Sequence, residues 1–154
     1  MGIKDLYWMQ QAYAQAVRAQ KEGEVPIGAV LVGPADELLG LGFNQVIQGK
    51  DPTLHAEIVA IRNASQFIHN YRLVNTTLYV TLEPCYMCTG ALVHARISRL
   101  VYATKDTRVG ACSALLNLLE TQGLNHRIHV ENGVLQEPCA VLLRDFFREK
   151  RGQL

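Results

Sequence analysis

The sequence predicts a single α/β domain with helices on both faces of a sheet, on three observations. Stretches with apolar residues at helical spacing alternate along the chain with short apolar runs bounded by turn residues, the pattern of a sheet covered by helices. The length of 154 residues corresponds to about one domain, and no repeat, low-complexity tract or Pro/Ser linker divides it. Hydrophobic residues are 49% of the chain and charged residues 19%, a balance that supports a packed core and excludes a disordered chain.

The elements follow in order. Leu6, Met9, Tyr13, Ala16 and Val17 recur at helical spacing, so residues 5–22 form an amphipathic helix that Gly23 and Pro26 end. Residues 25–32 and 37–44 read as two strands joined by the turn Gly33-Pro34-Ala35-Asp36, a hairpin. Residues 45–53 are polar and turn-rich, and Thr53 is placed to cap a helix over residues 54–67. Residues 77–82 form a strand, and Pro84 opens a helix over 85–95, since proline suits a first helical turn. A strand over 97–103, a short helix over 113–120 and a weaker strand over 127–130 come next. The last helix spans 138–151, with Leu142, Leu143, Phe146 and Phe147 on its buried face. Strand 77–82, helix 85–95 and strand 97–103 should make a right-handed crossover between parallel strands. That unit puts the loops carrying His55 and Cys85 at one end of the sheet, where ligands bind in open α/β folds.

Charge is nearly balanced, 15 Lys and Arg against 14 Asp and Glu, so the net charge of +1 does not by itself point to nucleic acid. The distribution is uneven: residues 1–60 carry four basic and seven acidic side chains, residues 61–154 eleven and seven. Arg96, Arg99, Lys105 and Arg108 form one basic cluster, and Arg144, Arg148, Lys150 and Arg151 another. Such clusters can track phosphates, although on charge alone a solvated face is the preferred reading. The apolar runs are far shorter than a membrane span, and the start lacks the apolar stretch of a signal peptide, so a soluble intracellular protein is expected. Cys85, Cys88, Cys112 and Cys139 are then read as thiols or metal ligands, not as bridges.

Pro84-Cys85-Tyr86-Met87-Cys88 is the most informative stretch. Cysteines three apart in a first helical turn share a face, and the positive end of the helix dipole there favours the thiolate that binds metal. His55, at the start of another predicted helix in His55-Ala56-Glu57, turns an ambiguous Cys pair towards zinc. One nitrogen and two sulfurs leave a fourth tetrahedral position open for water, the arrangement of a catalytic zinc. Such a zinc lowers the pKa of water to about 7, and a carboxylate that is not a ligand must then move protons. Glu57 is the candidate. On a regular helix, however, residues two apart diverge. His55 and Glu57 can reach one site only at an irregular helix entrance or through a long Glu57 reach.

His-Ala-Glu followed about thirty residues later by Pro-Cys-x-x-Cys resembles the zinc-dependent nucleoside and nucleobase deaminases. Within that superfamily the chain is similar to the bacterial tRNA-specific adenosine deaminases. The likeness lies at residues 25–30, 51–58, 81–92, 123–127 and 145–148, nearly end to end. It implies a three-layer α/β/α fold with a central mixed five-stranded sheet. It also implies one zinc ion per subunit held by His55, Cys85 and Cys88, with Glu57 as proton shuttle. Hydroxide would attack C6 of adenine while Glu57 protonates the ring nitrogen and then the leaving ammonia, giving inosine at the wobble position of a tRNA anticodon. By the same resemblance Asn44 would hydrogen-bond the flipped nucleotide, Ile27, Ala56 and Leu82 would wall the base pocket, and Asp106 would lie near the flanking nucleotides. A homodimer would bring Lys105, Arg108, Arg148 and Arg151 to the phosphates of the anticodon stem-loop. The cytoplasm is the expected location.

Other readings bear on the same residues. A thioredoxin-like redox pair would explain the cysteines but not His55 and Glu57. A structural zinc would need a fourth ligand from Cys112, Cys139, His94, His126 or His129, and would leave Glu57 without a task. Deamination of free guanine, cytosine or a nucleoside would use the same motifs, and a zinc-binding module without catalysis is a different class of answer. Glu83, beside the ligands, reads either as a support for them or as a backbone cap.

Overall fold

Every residue of three strands is shielded from water or nearly so, because helices cover both sides of the sheet. The structure is a computed structural model and describes residues 2–106 and 126–152. The strands are β1 (Gly28–Val32), β2 (Leu38–Phe43), β3 (Thr77–Leu82), β4 (Arg99–Thr104) and β5 (His129–Asn132), in the order β2-β1-β3-β4-β5. β1 pairs antiparallel with both β2 and β3, whereas β3–β4 and β4–β5 are parallel. The mixed five-stranded sheet, the 33–36 hairpin and the parallel neighbours across the 77–103 unit are all as expected.

Alternation of side chains along each strand splits the core in two. On one side Ala29, Leu31, Leu78, Val80, Leu100 and Tyr102 meet α2 (Ala56–Ile68) and α3 (Tyr86–His94) through Ala56, Ala60, Ala64 and Leu92. On the other side Val30, Val32, Tyr79, Val101 and Ala103 meet α1 (Ile3–Lys21) through Trp8, Met9 and Ala12, and α4 (Gln136–Gly152) through Cys139. The first side depends on small residues. Gly40 and Gly42 of β2 lie under α2, and a Cβ on Gly42 would stand 2.6 Å from Ala60 N and closer still to Ala56 O. The stripe Ala56, Ala60, Ala64 and these two glycines let α2 settle directly onto the sheet. The second side has one such close approach, where a Cβ on Gly28 would stand 2.5 Å from Ala16 N of α1, and adds larger residues and polar ties. The Trp8 indole N–H donates to Asp36 at 2.8 Å, and Asp5 accepts from Tyr79 Oη at 2.7 Å and from both terminal nitrogens of Arg99 at 2.8 Å.

Boundaries differ from expectation in instructive places. β1 begins at Gly28, three residues late, because Pro26 has no N–H for a ladder and Ile27 N–H turns back to Val25 O. Thr53 does not cap α2: its N–H and hydroxyl both bond Asp51 Oδ1, and His55 is the N-cap residue. Likewise Cys85 is the N-cap of α3, so Pro84 stands before the helix and not in its first turn. In α4 the buried residues are Cys139, Leu143 and Phe146, while Leu142 and Phe147 are half-buried. The expected helix over 113–120, Arg108 and Cys112 lie outside the described residues.

Candidate active site

Three chain segments deliver the site to the end of the sheet where β3 and β4 finish. β2 ends at Phe43 and hands over to Asn44, whose N–H donates to Ile27 O at 3.1 Å. Asn44 Oδ1 accepts the Ala56 N–H at 2.8 Å, satisfying one of the free amides of the first turn of α2. His55 N–H bonds Thr53 O at 2.8 Å while His55 O accepts the Val59 N–H at 3.0 Å, so the residue is half inside the helix. Its φ of −71° and ψ of 156° are extended, not helical. That resolves the divergence of residues two apart: His55 is not on the helical wheel, and it faces the same cavity as Glu57 in the first turn.

β3 runs on through Glu83 and Pro84 to Cys85. Cys85 O accepts both the N–H and the hydroxyl of Thr89, at 2.9 and 2.8 Å, which fixes the start of α3. Cys85 and Cys88 then share a face of its first turn. His55 Nδ1 lies 3.6 Å from Cys85 Sγ and 3.5 Å from Cys88 Sγ, and the three donor atoms lie within 4.8 Å of one another. Among the described residues no other His, Cys, Asp or Glu joins this group. Cys139 sits in the core on the opposite side of the sheet, and His126 and His129 bond Ile97 O and Glu131. One imidazole and two thiols without a fourth protein ligand fit an open, catalytic zinc site, not a closed structural one.

The electrostatics agree with that donor set. Cys85 is pulled down to about 4, chiefly by its hydrogen bond with Cys88 and then by His55, so it is a thiolate at neutral pH. Cys88 is pushed up, because the Cys85 thiolate shares its proton and burial adds to the effect. The bond to Cys85 raises His55. Glu57, 4% exposed, has its carboxyl raised by loss of solvent, only partly offset by its own backbone amide and by His55.

Val25, Ile27, Asn44, His55, Glu57, Leu82, Glu83, Cys85 and Asp106 line a cavity of about 200 Å³. Pockets for drug-sized ligands run to about 300–1,000 Å³, so this one suits a smaller group. It shares Leu82 and Asp106 with a second, more open cleft of about 480 Å³. Thr104 and Lys105 at the end of β4 and Ala140, Leu143, Arg144, Phe147, Arg148 and Arg151 of α4 complete that cleft. Its floor is apolar and its rim carries four cations.

Of the residues singled out from sequence, the structure brings His55, Glu57, Cys85, Asn44, Ile27, Leu82 and Asp106 to one cavity, with Cys88 buried behind it. Lys105, Arg148 and Arg151 gather in the adjoining cleft. Ala56 departs from expectation: its methyl is packed in the core with Ala60 and Ala64, and its N–H, not its side chain, serves the site. Glu83 acts as a backbone cap, its Oε1 accepting the Asp106 N–H at 3.2 Å. Val25 went unnoticed as a site residue, and Arg144 was read only as a member of a basic cluster, not as a residue of the site. Arg144 was within reach of the sequence, because residues 140, 144, 147, 148 and 151 fall on one helical face.

An α/β fold with a His-Cys-Cys triad and a buried glutamate gathered around one small cavity defines the class of zinc-dependent deaminases. Residues 3–104 match the family model described as the cytidine and deoxycytidylate deaminase zinc-binding region. The chain belongs to that family, in the branch of the tRNA-specific adenosine deaminases. It is 47% identical to the tRNA-specific adenosine deaminase of Haemophilus influenzae over 93% of this chain and 83% of that one. With the tRNA-specific adenosine deaminase of Buchnera aphidicola subsp. Schizaphis graminum it is 43% identical over 96% and 97%. Among solved structures it superposes, with a TM-score of 0.84 and 36% identity over 89% of this chain and 99% of the other, on one from a study of A-to-I editing by tRNA:A34 deaminases. The guanine deaminase of Bacillus subtilis is more distant, with a TM-score of 0.64 and 28% identity over 99% of this chain and 95% of that one.

Proposed function

We propose that this protein hydrolytically deaminates adenosine to inosine at the wobble position of a tRNA anticodon. The observation that carries the reading is the adjacency of two spaces: a small cavity lined by His55, Cys85 and buried Glu57, and a cationic cleft that shares Leu82 and Asp106 with it. A free base needs only the first. His55, Cys85 and Cys88 would hold the zinc ion, one per subunit. When bound, zinc supplies the Lewis acidity that makes water a nucleophile at neutral pH.

The chain's own residues do the rest. Glu57 keeps its proton more readily than a solvated glutamate. It therefore suits taking one proton from water and giving it to the ring nitrogen of adenine, then taking the second from the new C6 hydroxyl and giving it to the amino group that leaves as ammonia. C6 exchanges its amino group for oxygen, and the carboxyl returns to its starting state. Asn44 offers its amide to the bound nucleotide, its oxygen already taken by Ala56, and Ile27 and Leu82 wall the base. Lys105, Arg144, Arg148 and Arg151 meet phosphates, over the apolar floor of Leu82, Leu143 and Phe147. Asp106, at the junction, lies beside the nucleotides next to the target. An anticodon loop presents unpaired bases, so turning one into the cavity costs little.

The same reading makes the protein a homodimer that works in the cytoplasm, where tRNA is used. Tyr86 and Met87, next to the ligand cysteines, are exposed, as are Phe67, Tyr71 and Val74 at and beyond the end of α2. A second copy covering such groups accounts for their exposure. Light scattering at micromolar concentration should give twice the chain mass. Among the described residues no helix is long and apolar enough to cross a membrane.

The decisive experiment measures inosine and ammonia from a synthetic anticodon stem-loop with a wobble adenosine, beside free adenosine, cytidine and guanine. Inosine in the stem-loop alone is expected. Turnover of a free base or nucleoside instead would move the protein to a salvage reaction and sink the tRNA reading.

A further inference from the structure

Glu24 is the most deeply buried carboxyl group among the described residues, 1% exposed, yet it does not line the catalytic cavity. Burying a carboxyl group is unfavourable unless hydrogen bonds compensate. Its two oxygens accept from consecutive backbone amides, Ile47 N–H at 3.1 Å and Gln48 N–H at 2.8 Å. Those amides belong to the segment that connects β2 to α2.

The segment closes on itself. Gln45 N–H bonds Leu54 O at 3.0 Å, Asp51 N–H bonds Val46 O at 3.1 Å, and Gly49 N–H bonds Gln45 O at 2.8 Å. No residue from 45 through 55 is buried, and Ile47 is 70% exposed. Apolar packing therefore does little to hold this turn against the domain, and segments of that kind open at low free energy. At one end of the segment stands Asn44, at the other His55. The strand leading from Glu24 meets the near end as well, where Ile27 O accepts the Asn44 N–H.

We propose that Glu24 is a positioning residue of the active site. By holding the Ile47 and Gln48 amides it fixes segment 45–54, and with it the mutual placement of Asn44 and His55. The inference rests on the proposed function only for its activity readout; its metal readout is independent of substrate.

The test compares wild type with Glu24→Gln and Glu24→Ala. Glutamine keeps the volume but sets an N–H₂ donor against a backbone donor, so it breaks the latch with the least disturbance of packing. Three quantities are read: the rate of zinc loss to a chelator, the visible spectrum of the cobalt-substituted protein, and kcat/KM on the stem-loop. In Glu24→Gln we expect zinc loss to quicken roughly tenfold, the cobalt bands to shift, and kcat/KM to fall about 10- to 100-fold, the scale of a lost hydrogen bond to a charged group. Glu24→Ala should do the same or more, and if it does not fold the glutamine variant carries the test. A lower melting temperature with unchanged zinc loss, cobalt spectrum and kcat/KM would overturn the proposal and leave Glu24 a stabilising residue only. Faster zinc loss in a protein whose wild type fails on the stem-loop would support the positioning role and remove the tRNA reading instead.

Discussion

The two sides of the sheet share one device, a helix seated on strand glycine, and differ in what fills the rest of the space. Under α2, alanines and glycines bring helix and strand backbones into direct contact, and almost nothing polar intervenes. Under α1 the close approach occurs at Gly28 of β1, against Ala12 and Ala16, and beyond it a tryptophan, a methionine and a tyrosine fill the space while Asp5, Tyr79, Arg99 and Glu131 form a hydrogen-bonded chain. The seating of α2 leaves no slack, and it lies beneath the turn that follows His55. A site that must hold groups within about half an ångström of their working positions gains from a helix seated on backbone. The second construction secures the domain, and its polar ties at Asp5, Tyr79 and Arg99 lie outside the catalytic cavity.

Substitutions on each side should separate these roles. The largest effect belongs to Glu57: Glu57→Gln should lower kcat at least about 1,000-fold, within the range for a general acid–base group, while zinc content stays at one per chain. Retained turnover in that variant would remove Glu57 from the reaction.

Gly42→Ala comes next. The added methyl meets the α2 backbone at Ala56 and Ala60, so the helix must lift. Overpacking of this kind costs about 2–3 kcal/mol, or a melting temperature lower by about 5–10 °C for a domain of this size. Because the first turn of α2 moves with it, activity per folded molecule should fall too. Wild-type activity in the folded fraction would show that seating and site are not coupled.

Asp5→Asn probes the other side. Breaking a buried ion pair costs about 3–5 kcal/mol, and with the Arg99 side chain a quarter exposed about 2 kcal/mol is expected here, measured by urea unfolding. Activity per folded molecule should not change. The hydrogen bonds from Arg99, helped by Tyr79 and opposed by burial, hold Asp5 well below the usual carboxylate range. A depressed folded-state pKa means stability that is present above the unfolded value of about 4 and lost as pH falls below it. The wild type should therefore lose stability from about pH 5 downwards more steeply than Asp5→Asn. Parallel curves would show that the pair contributes nothing.

The smallest effect is expected at the cleft rim. Arg148→Ala should weaken stem-loop binding a few-fold and flatten the slope of log affinity against log salt by about 0.7–1, the signature of one lost phosphate contact. An unchanged slope would take Arg148 out of the RNA path.

Much of this architecture was legible in the chain. Helical spacing and short apolar runs place nine described elements to within three residues, and the His-Ala-Glu and Pro-Cys-x-x-Cys motifs single out the four central side chains. What the sequence misjudged were helix entrances. Thr53 has the chemistry of a cap, but Asp51, two residues away, captures its donors first. Ala56 lies between two site residues in the chain, yet the helix turns its methyl into the core. Glu24 carries no signal at all in a one-dimensional reading, since its partners are backbone amides more than twenty residues away.

The sequence by itself determined the order of elements and the donor set, because periodicity and ligand chemistry are local and each residue type carries its own. Only the tertiary structure decided that His55 and Glu57 could share a cavity. That outcome depends on His55 taking extended φ/ψ at the mouth of α2, next to the Ala56 N–H that Asn44 accepts and at the end of a segment whose amides Glu24 holds. Tertiary structure also decided that the C-terminal cations face Lys105, because the pairing of β4 with its neighbours and the docking of α4 bring together residues about forty positions apart. Such long-range contacts depend on how several elements pack at once, and no local pattern encodes that.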